Sequence, residues 1–128
     1  MTRVLLVEDS ADVLYVIQLE LEWMGYEVHT AMDADSAFEI ALRTPPDIIV
    51  SDLGLPGVDG CDFLQRIRRT PTLASVPAIA LTGAAMDTDI QRALAAGFMA
   101  HVSKPVEAVD LGKRIEQLTA RRLKRKAG

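Results

Sequence analysis

Short aliphatic runs recur every 20 to 30 residues along this chain, and segments with the apolar spacing of helices separate them. Continuous runs of this kind are typical of strands that are buried on both faces of a sheet. Their regular alternation with helices indicates a βα repeat rather than a helical bundle or an antiparallel sandwich. The five predicted strands contain residues 4–7, 28–30, 48–50, 78–81 and 102–103.

The intervening segments carry apolar stripes and end at residues that stop helices. The first stripe ends at Gly25, the second stops before Pro45-Pro46, and the fourth ends at Gly97. Right-handed crossovers would place these five helices on both faces of one parallel sheet, which predicts a doubly wound α/β fold. The stripes are Leu14, Ile17, Leu21 and Met24; Ala34, Ala37, Phe38 and Ala41; Phe63, Leu64 and Ile67; Ile90, Ala93 and Leu94; and Leu111, Ile115 and Leu118.

The composition fits a single globular domain. The chain has 128 residues, of which 49% are hydrophobic, so one sizeable core can form without disulfides. Cys61 is the single cysteine, which excludes an intramolecular disulfide and a thiolate metal site. The chain has neither an apolar run long enough for a membrane span nor the pattern of a signal peptide. We therefore expect a cytoplasmic protein without a membrane partner.

Charge is distributed unevenly along the chain. Residues 1–112 carry 7 Lys and Arg against 17 Asp and Glu, whereas residues 113–128 carry 7 against 1. A basic end suits the negative end of a helix dipole, and it has no interleaved aromatic residues that would indicate nucleic-acid binding. We expect a domain over residues 1–120, a basic helix end or linker over residues 121–128, and no nucleic-acid partner.

Four of the predicted strands run directly into residues that could carry chemistry. The first is followed by Glu8-Asp9 and the third by Asp52, while the fourth ends at Thr82 and the fifth at Lys104. Because parallel strands share their C-terminal direction, these side chains are expected to meet at one edge of the sheet. The joint pattern indicates an active site.

The three carboxylates define the chemistry that such a site could perform. Glu8, Asp9 and Asp52 would repel one another unless a cation lay among them, and ligands that are all oxygen favour Mg²⁺. No histidine or cysteine accompanies them in the pattern, which argues against zinc. Asp52 could then accept a phosphoryl group, with Lys104 as a neutralising cation and Thr82 as a hydroxyl donor.

Four segments together resemble a known family. They are residues 7–10 (VEDS), 51–60 (SDLGLPGVDG), 80–83 (ALTG) and 103–105 (SKP). In this order and spacing they are similar to the CheY-like receiver domain of two-component response regulators, and the resemblance runs from about residue 3 to about residue 118. It implies a flavodoxin-like fold with strand order 2-1-3-4-5, and a histidine kinase or phosphotransfer protein as the phosphoryl donor.

The resemblance also implies roles for further residues. The backbone carbonyl of Gly54 would complete the metal ligands, and the bond before Pro105 would be cis. Thr82 and His101 would form the switch, with histidine where most receivers have tyrosine or phenylalanine. The face built by the fourth helix, fifth strand and fifth helix would bind a downstream target or form a homodimer.

Two alternative functions remain open from the residues alone. One is a receiver-like module that binds partners without phosphorylation. The other is an aspartate-nucleophile phosphohydrolase of the haloacid dehalogenase type, although Gly54 stands where such enzymes carry a second carboxylate. The leading prediction is a signalling domain that is not an enzyme, either standing alone or cut from a longer regulator or hybrid kinase.

Several conspicuous residues have structural interpretations. Asp59 is expected to cap the third helix, and Gly57 and Gly60 to supply positive φ in the loop after the third strand. Trp23 is interpreted as a core or partner-contact residue. Cys61 is interpreted as a packing residue.

Overall fold

Five strands alternate with five helices in this computed structural model. The structure describes residues 1–83 and 87–127, without the side chains of residues 87 and 121–127. The predicted basic segment 121–128 coincides with the end of the last helix, and its side chains and residue 128 lie outside the described residues. The elements are β1 (Arg3–Val7), α1 (Ala11–Trp23), β2 (Glu27–Ala31), α2 (Ala34–Arg43), β3 (Ile48–Asp52), α3 (Gly60–Arg68), β4 (Ala78–Thr82), α4 (Asp87–Ala96), β5 (Ala100–Ser103) and α5 (Ala108–Ala127).

The strands form one parallel sheet in the order β2-β1-β3-β4-β5. This confirms the predicted flavodoxin-like topology. The register pairs Val7 with Ser51, Asp52 with Leu81 and Thr82 with Ser103, so the strands end at similar heights. The polar residues at or just after these ends are therefore brought to one edge.

The core has two layers, one on each face of the sheet. Alternate strand residues point to opposite faces, so Leu5 packs in one layer and Leu6 in the other. The layer under α2 and α3 contains Phe63 and Ile67, and the layer under α1 and α5 contains Leu21. Burial of the strands on both faces explains why they read as continuous aliphatic runs.

The outer face of α1 is more apolar than the predicted stripe suggests. Trp23 is 92% exposed, so its interpretation as a core residue is wrong and only the partner-contact alternative remains. Tyr15, Val16 and Leu19 are also exposed on this helix. Met24 and, on α4, Leu94 are exposed as well, so two of the predicted stripes are narrower than the sequence pattern.

Among the described residues, no helix has both the length and the apolarity that a membrane span requires.

Candidate functional site

Asp52 is the last residue of β3, and its side chain lies at the floor of a cleft at the C-terminal edge of the sheet. The residue is only 7% exposed. One carboxylate oxygen, Oδ1, accepts a hydrogen bond from the Gly54 N–H at 3.1 Å, and Oδ2 accepts one from Lys104 Nζ at 2.9 Å. A buried carboxylate is thus held by a backbone donor on one side and an ammonium group on the other.

Glu8 shares the same ammonium group. It is fully buried directly after β1, where its Oε2 accepts a hydrogen bond from the Ser10 N–H at 2.9 Å. Its Oε1 lies 2.7 Å from Lys104 Nζ as an ion pair that lacks the angles of a hydrogen bond. Lys104 therefore reaches two carboxylates that follow two different strands.

The charges of this cluster perturb one another. Burial raises the pKa of Glu8, and the neighbouring carboxylates add to the shift, while Lys104 and the Ser10 N–H oppose it. Burial alone would lower the pKa of Lys104, but the hydrogen bond with Asp52 and the ion pair with Glu8 outweigh it, so the pKa of Lys104 is raised. Burial is therefore the main cause of the shift of the Glu8 pKa, whereas the two carboxylates beside Lys104 cause the shift of the Lys104 pKa.

Glu8, Asp9 and Asp52 each offer one carboxylate oxygen, and these oxygens lie within 4.8 Å of one another. Asp9 is exposed, whereas the other two are buried. With Lys104 as the neighbouring cation, three carboxylates leave a net negative charge that a divalent cation would neutralise. An all-oxygen donor set of this kind suits Mg²⁺, and Gly54 lines the same cleft.

Thr82 is the last residue of β4 and faces this cleft. It is 2% exposed, and its Oγ1 has no hydrogen-bond partner among the described residues. Buried hydroxyl groups are almost always hydrogen-bonded, because an unpaired one loses its water without compensation. The free hydroxyl beside Asp52 and Lys104 therefore suits a ligand with acceptor oxygens.

The Lys104–Pro105 peptide bond is cis. The Lys104 N–H donates to the Thr82 carbonyl at 2.8 Å, which continues the β4–β5 pairing up to the lysine. This backbone bond places the lysine directly beside the threonine at the strand ends. Its side chain can then reach back to Asp52 and Glu8.

His101 lies outside the cleft. It is half-buried in β5 and pairs with Ala80, two residues before Thr82, so it shares a sheet face with the threonine. It also borders a groove of about 720 Å³ between β5 and α5, together with Lys113 and Arg114. The structure thus places His101 beside the site on the outer strand, away from Asp52.

The cleft has a volume of about 430 Å³ and contains a pair of residues that sequence patterns did not connect. Asp59 caps α3 as predicted, because its Oδ1 accepts from the Asp62 N–H at 3.0 Å. Its Oδ2 also pairs with Arg92 of α4 at 3.0 Å. No sequence signal links these residues, since they are 33 positions apart on different helices.

The loop after β3 corrects one prediction. Gly57 has a φ of +78°, as expected for this turn, but Gly60 does not have positive φ. Gly60 instead lies against the backbone of residues 52 and 53, where a side chain would not fit.

A family model of the response regulator receiver domain matches residues 4–116. The chain belongs to the receiver domain family. An uncharacterized 14.6 kDa protein of Leptolyngbya boryana is 35% identical over 114 residues, which cover 89% of this chain and 87% of that protein. The DNA-binding dual master transcriptional regulator RpaA of Synechocystis is 31% identical over 94% of this chain. The receiver covers only 50% of RpaA, and 26% to 52% of several other curated relatives.

A solved structure of the family has the same fold. The receiver domain of a Pseudomonas aeruginosa sensor histidine kinase superposes with a TM-score of 0.87 at 32% identity, over 93% of this receiver and 98% of that chain. That structure has a magnesium ion coordinated in its active-site cleft. The predicted fold, family and functional class are therefore confirmed.

Family membership gives the general role of the domain. Receiver domains are signalling modules that accept phosphoryl groups and bind Mg²⁺ at an acidic pocket. They interact with histidine kinases or phosphotransfer proteins and with downstream effectors.

Proposed function

We propose that this receiver accepts a phosphoryl group onto Asp52 from a histidine kinase or a phosphotransfer protein, with Mg²⁺ as cofactor. Asp52 Oδ2 accepts a hydrogen bond from Lys104 Nζ at 2.9 Å, and this contact carries the proposal. It places the cation that a phosphoryl acceptor needs directly beside a buried carboxylate. Glu8, Asp9, Asp52 and the carbonyl of Gly54 would hold the metal ion.

The transfer step makes one bond and breaks one bond. A carboxylate oxygen of Asp52 attacks phosphorus, the new O–P bond forms, and the P–N bond to the donor imidazole breaks with its electron pair remaining on nitrogen. Mg²⁺, when bound, would neutralise charge on the phosphoryl oxygens. Lys104 supplies a further positive charge beside Asp52, and the hydroxyl of Thr82 can donate to a phosphoryl oxygen.

Phosphorylation would then act as a switch. The group adds about −1.5 to −2 charges and new acceptor oxygens beside the Thr82 hydroxyl, which has no partner in the described part of the chain. Movement of Thr82 toward these oxygens would change the β4 strand end, and His101 lies on the neighbouring strand and the same sheet face. We propose that the surface formed by α4, β5 and α5 transmits this change to a downstream protein.

The proposed role is stoichiometric, with one phosphoryl group on each chain and no external substrate turned over. The experiment is intact mass spectrometry after incubation with acetyl phosphate and MgCl₂. We expect one phosphoryl adduct on the wild type, none on Asp52→Asn, and none when a chelator removes the metal. Asp62→Asn is the matched control, because Asp62 is an exposed aspartate on α3, and it should be phosphorylated like the wild type.

Two results would contradict the proposal. A folded wild-type protein that forms no adduct and does not hydrolyse the donor would support a phosphorylation-independent binding module. Repeated hydrolysis of the donor without a lasting adduct would support a phosphohydrolase.

A further inference from the structure

Arg92 is a second cation at the phosphoryl-acceptor cleft. Among the described residues that line the cleft, the cations are Lys104 and Arg92, and the acids are Asp52, Asp59 and Asp89. Lys104 already forms ion pairs with Asp52 and with Glu8. Among the described residues of the cleft, Arg92 is therefore the cation that is not paired with the acceptor carboxylate, and it can attract a negatively charged phosphoryl donor.

The partner of Arg92 holds it only weakly. Its guanidinium lies 3.0 Å from Asp59 Oδ2, with side-chain exposures of 59% and 38% for the arginine and the aspartate. Exposed ion pairs of this kind contribute little, because water and salt screen them. A phosphoryl group offers a guanidinium two or three acceptor oxygens and a higher charge. Exchange of Asp59 for such a group is therefore favourable.

Asp59 is fixed close to the acceptor. The next residue, Gly60, donates its N–H to the Leu53 carbonyl at 2.8 Å, and Leu53 follows Asp52 in the chain. The Asp59 Oδ1 is occupied by the cap of α3, which leaves Oδ2 for Arg92. Through its ion pair with Asp59, Arg92 is consequently held at the start of α3, which packs against the acceptor residue.

We propose that Arg92 is an anion-binding residue of the cleft. It pairs with Asp59 when no donor is bound, and it binds the phosphoryl oxygens of an incoming anionic donor. This inference rests on the phosphoryl-acceptor function proposed for Asp52. In this proposal the Asp59–Arg92 pair regulates the rate at which Asp52 is phosphorylated.

The test measures the rate of adduct formation with acetyl phosphate and MgCl₂ at low ionic strength. In this reaction a carboxylate oxygen of Asp52 forms a bond to phosphorus, and the bond from phosphorus to the acetate oxygen breaks with acetate leaving. Arg92→Gln should react roughly three- to ten-fold more slowly than the wild type, because a cation that attracts the donor is lost. Arg92→Lys keeps the charge without the bidentate fork, and its rate should lie between the two.

Asp59→Asn releases the arginine while the asparagine still caps α3, because an asparagine oxygen accepts the same backbone hydrogen bond. We expect this variant to react faster than the wild type. The double variant Asp59→Asn/Arg92→Gln should react as slowly as Arg92→Gln alone, since there is then no arginine to release. This cycle separates release of Arg92 from simple removal of a negative charge at the cleft.

Arg66 supplies the matched control. It pairs with Asp35 at the same 3.0 Å distance on an exposed surface outside the cleft, so Arg66→Gln should react at the wild-type rate. The wild-type rate should also fall more steeply with added KCl than the rate of Arg92→Gln. Circular dichroism and thermal unfolding of each variant show that the fold is retained.

Either of two results would overturn the inference. One is an Arg92→Gln rate equal to those of the wild type and Arg66→Gln. The other is an Asp59→Asn acceleration that persists in full without Arg92. A wild-type protein that forms no adduct would instead disprove the acceptor function itself, and this inference with it.

Discussion

Gly60, the first residue of α3, lies against the backbone carbonyl of the acceptor residue Asp52. A Cβ atom on Gly60 would be 2.2 Å from the Asp52 carbonyl oxygen and 2.8 Å from the Leu53 Cα. Both neighbours belong to the backbone, so neither can move away as a flexible side chain could. The start of α3 is thereby fixed to the end of the acceptor strand.

Gly60→Ala should destabilise the protein and displace the acceptor. Overpacking of this kind costs about 1 to 3 kcal/mol in the free energy of unfolding. Urea denaturation measures the loss, and the rate of phosphorylation by acetyl phosphate reports the displacement of Asp52. Gly83→Ala is the control for stability, because no described atom beyond its chain neighbours lies within 4 Å of its added Cβ and its φ is not positive. Equal stabilities of the two variants would contradict the packing explanation.

Arg68 links the end of α3 to the segments before β4 and before β5. Its guanidinium donates to the carbonyls of Val76 at 2.6 Å, Gly97 at 2.9 Å and Ala74 at 3.3 Å. Burial lowers the pKa of Arg68, as expected for a half-buried cation. The residue therefore satisfies backbone groups before β4 and before β5.

Arg68→Met keeps the aliphatic stem but leaves these carbonyls without their donor. We expect a loss of about 1 to 3 kcal/mol in the free energy of unfolding, because unpaired buried acceptors are costly. Chemical denaturation of this variant beside Arg69→Met provides the measurement, since Arg69 is exposed at the end of the same helix. Similar denaturation midpoints for both variants would show that the three carbonyls accept hydrogen bonds from water when Arg68 is replaced.

The sequence predicted the sheet and the residues at its edge because both are local signals. Continuous aliphatic runs mark strands buried on both faces, and Asp52 and Thr82 directly end such runs. The direction of parallel strands then brings them together. The strand boundaries were predicted less accurately, since β2 runs from Glu27 to Ala31 whereas the sequence pattern predicted only residues 28–30.

Contacts between elements could not be predicted in this way. The partners of Arg68 are backbone carbonyls, which every residue has, so no residue type marks them. The pairing of Arg92 with Asp59 depends on how α4 packs beside α3. The steric role of Gly60 likewise depends on a backbone contact that glycine alone does not specify, since glycine also serves turns. Such features follow only from the folded arrangement.

Mg²⁺ should stabilise the folded protein through the carboxylate cluster. A ligand that binds only the folded state at about 100 times its Kd adds roughly 2.7 kcal/mol to the free energy of unfolding. Asp9→Asn should weaken this effect without harming the fold, because Asp9 is the exposed member of the cluster. Thermal unfolding in MgCl₂ and in a chelator measures the difference.

Asp12→Asn is the control for this prediction. Asp12 is exposed on the first turn of α1 and lies outside the carboxylate cluster. Its response to Mg²⁺ should equal that of the wild type. An equal response of Asp9→Asn and the wild type would exclude Asp9 as a ligand.

Trp23 should contribute little to stability despite its size. It is 92% exposed, whereas Leu21 on the same helix is fully buried. Leu21→Ala should cost about 2 to 5 kcal/mol through the cavity it leaves, and Trp23→Ala should change the free energy of unfolding by less than about 0.5 kcal/mol. Denaturation of the two variants tests the contrast, and a large loss for Trp23→Ala would show that its indole is covered in solution.

Glu27 should give the protein a specific sensitivity to acid. The hydrogen bonds with Arg3 and then with His29 hold the pKa of Glu27 below its ordinary value of 4.5. A carboxylate with a lowered folded-state pKa stabilises the protein above the unfolded pKa, and this contribution is lost as pH falls through the folded value. The wild type should therefore be more stable than Glu27→Gln at pH 7, and the difference should shrink as pH falls below about 4.5.

Thermal unfolding of the wild type and Glu27→Gln between pH 7 and pH 3 measures the effect. The variant Arg3→Gln, which removes the positive charge, tests the other member of the same ion pair. Arg3→Gln should also be less stable at pH 7, and its stability should depend less on pH, because the hydrogen bond with Arg3 is the largest cause of the lowered Glu27 pKa. If the difference between the wild type and Glu27→Gln stays constant from pH 7 to pH 3, the β1–β2 ion pair does not act through the ionised carboxylate.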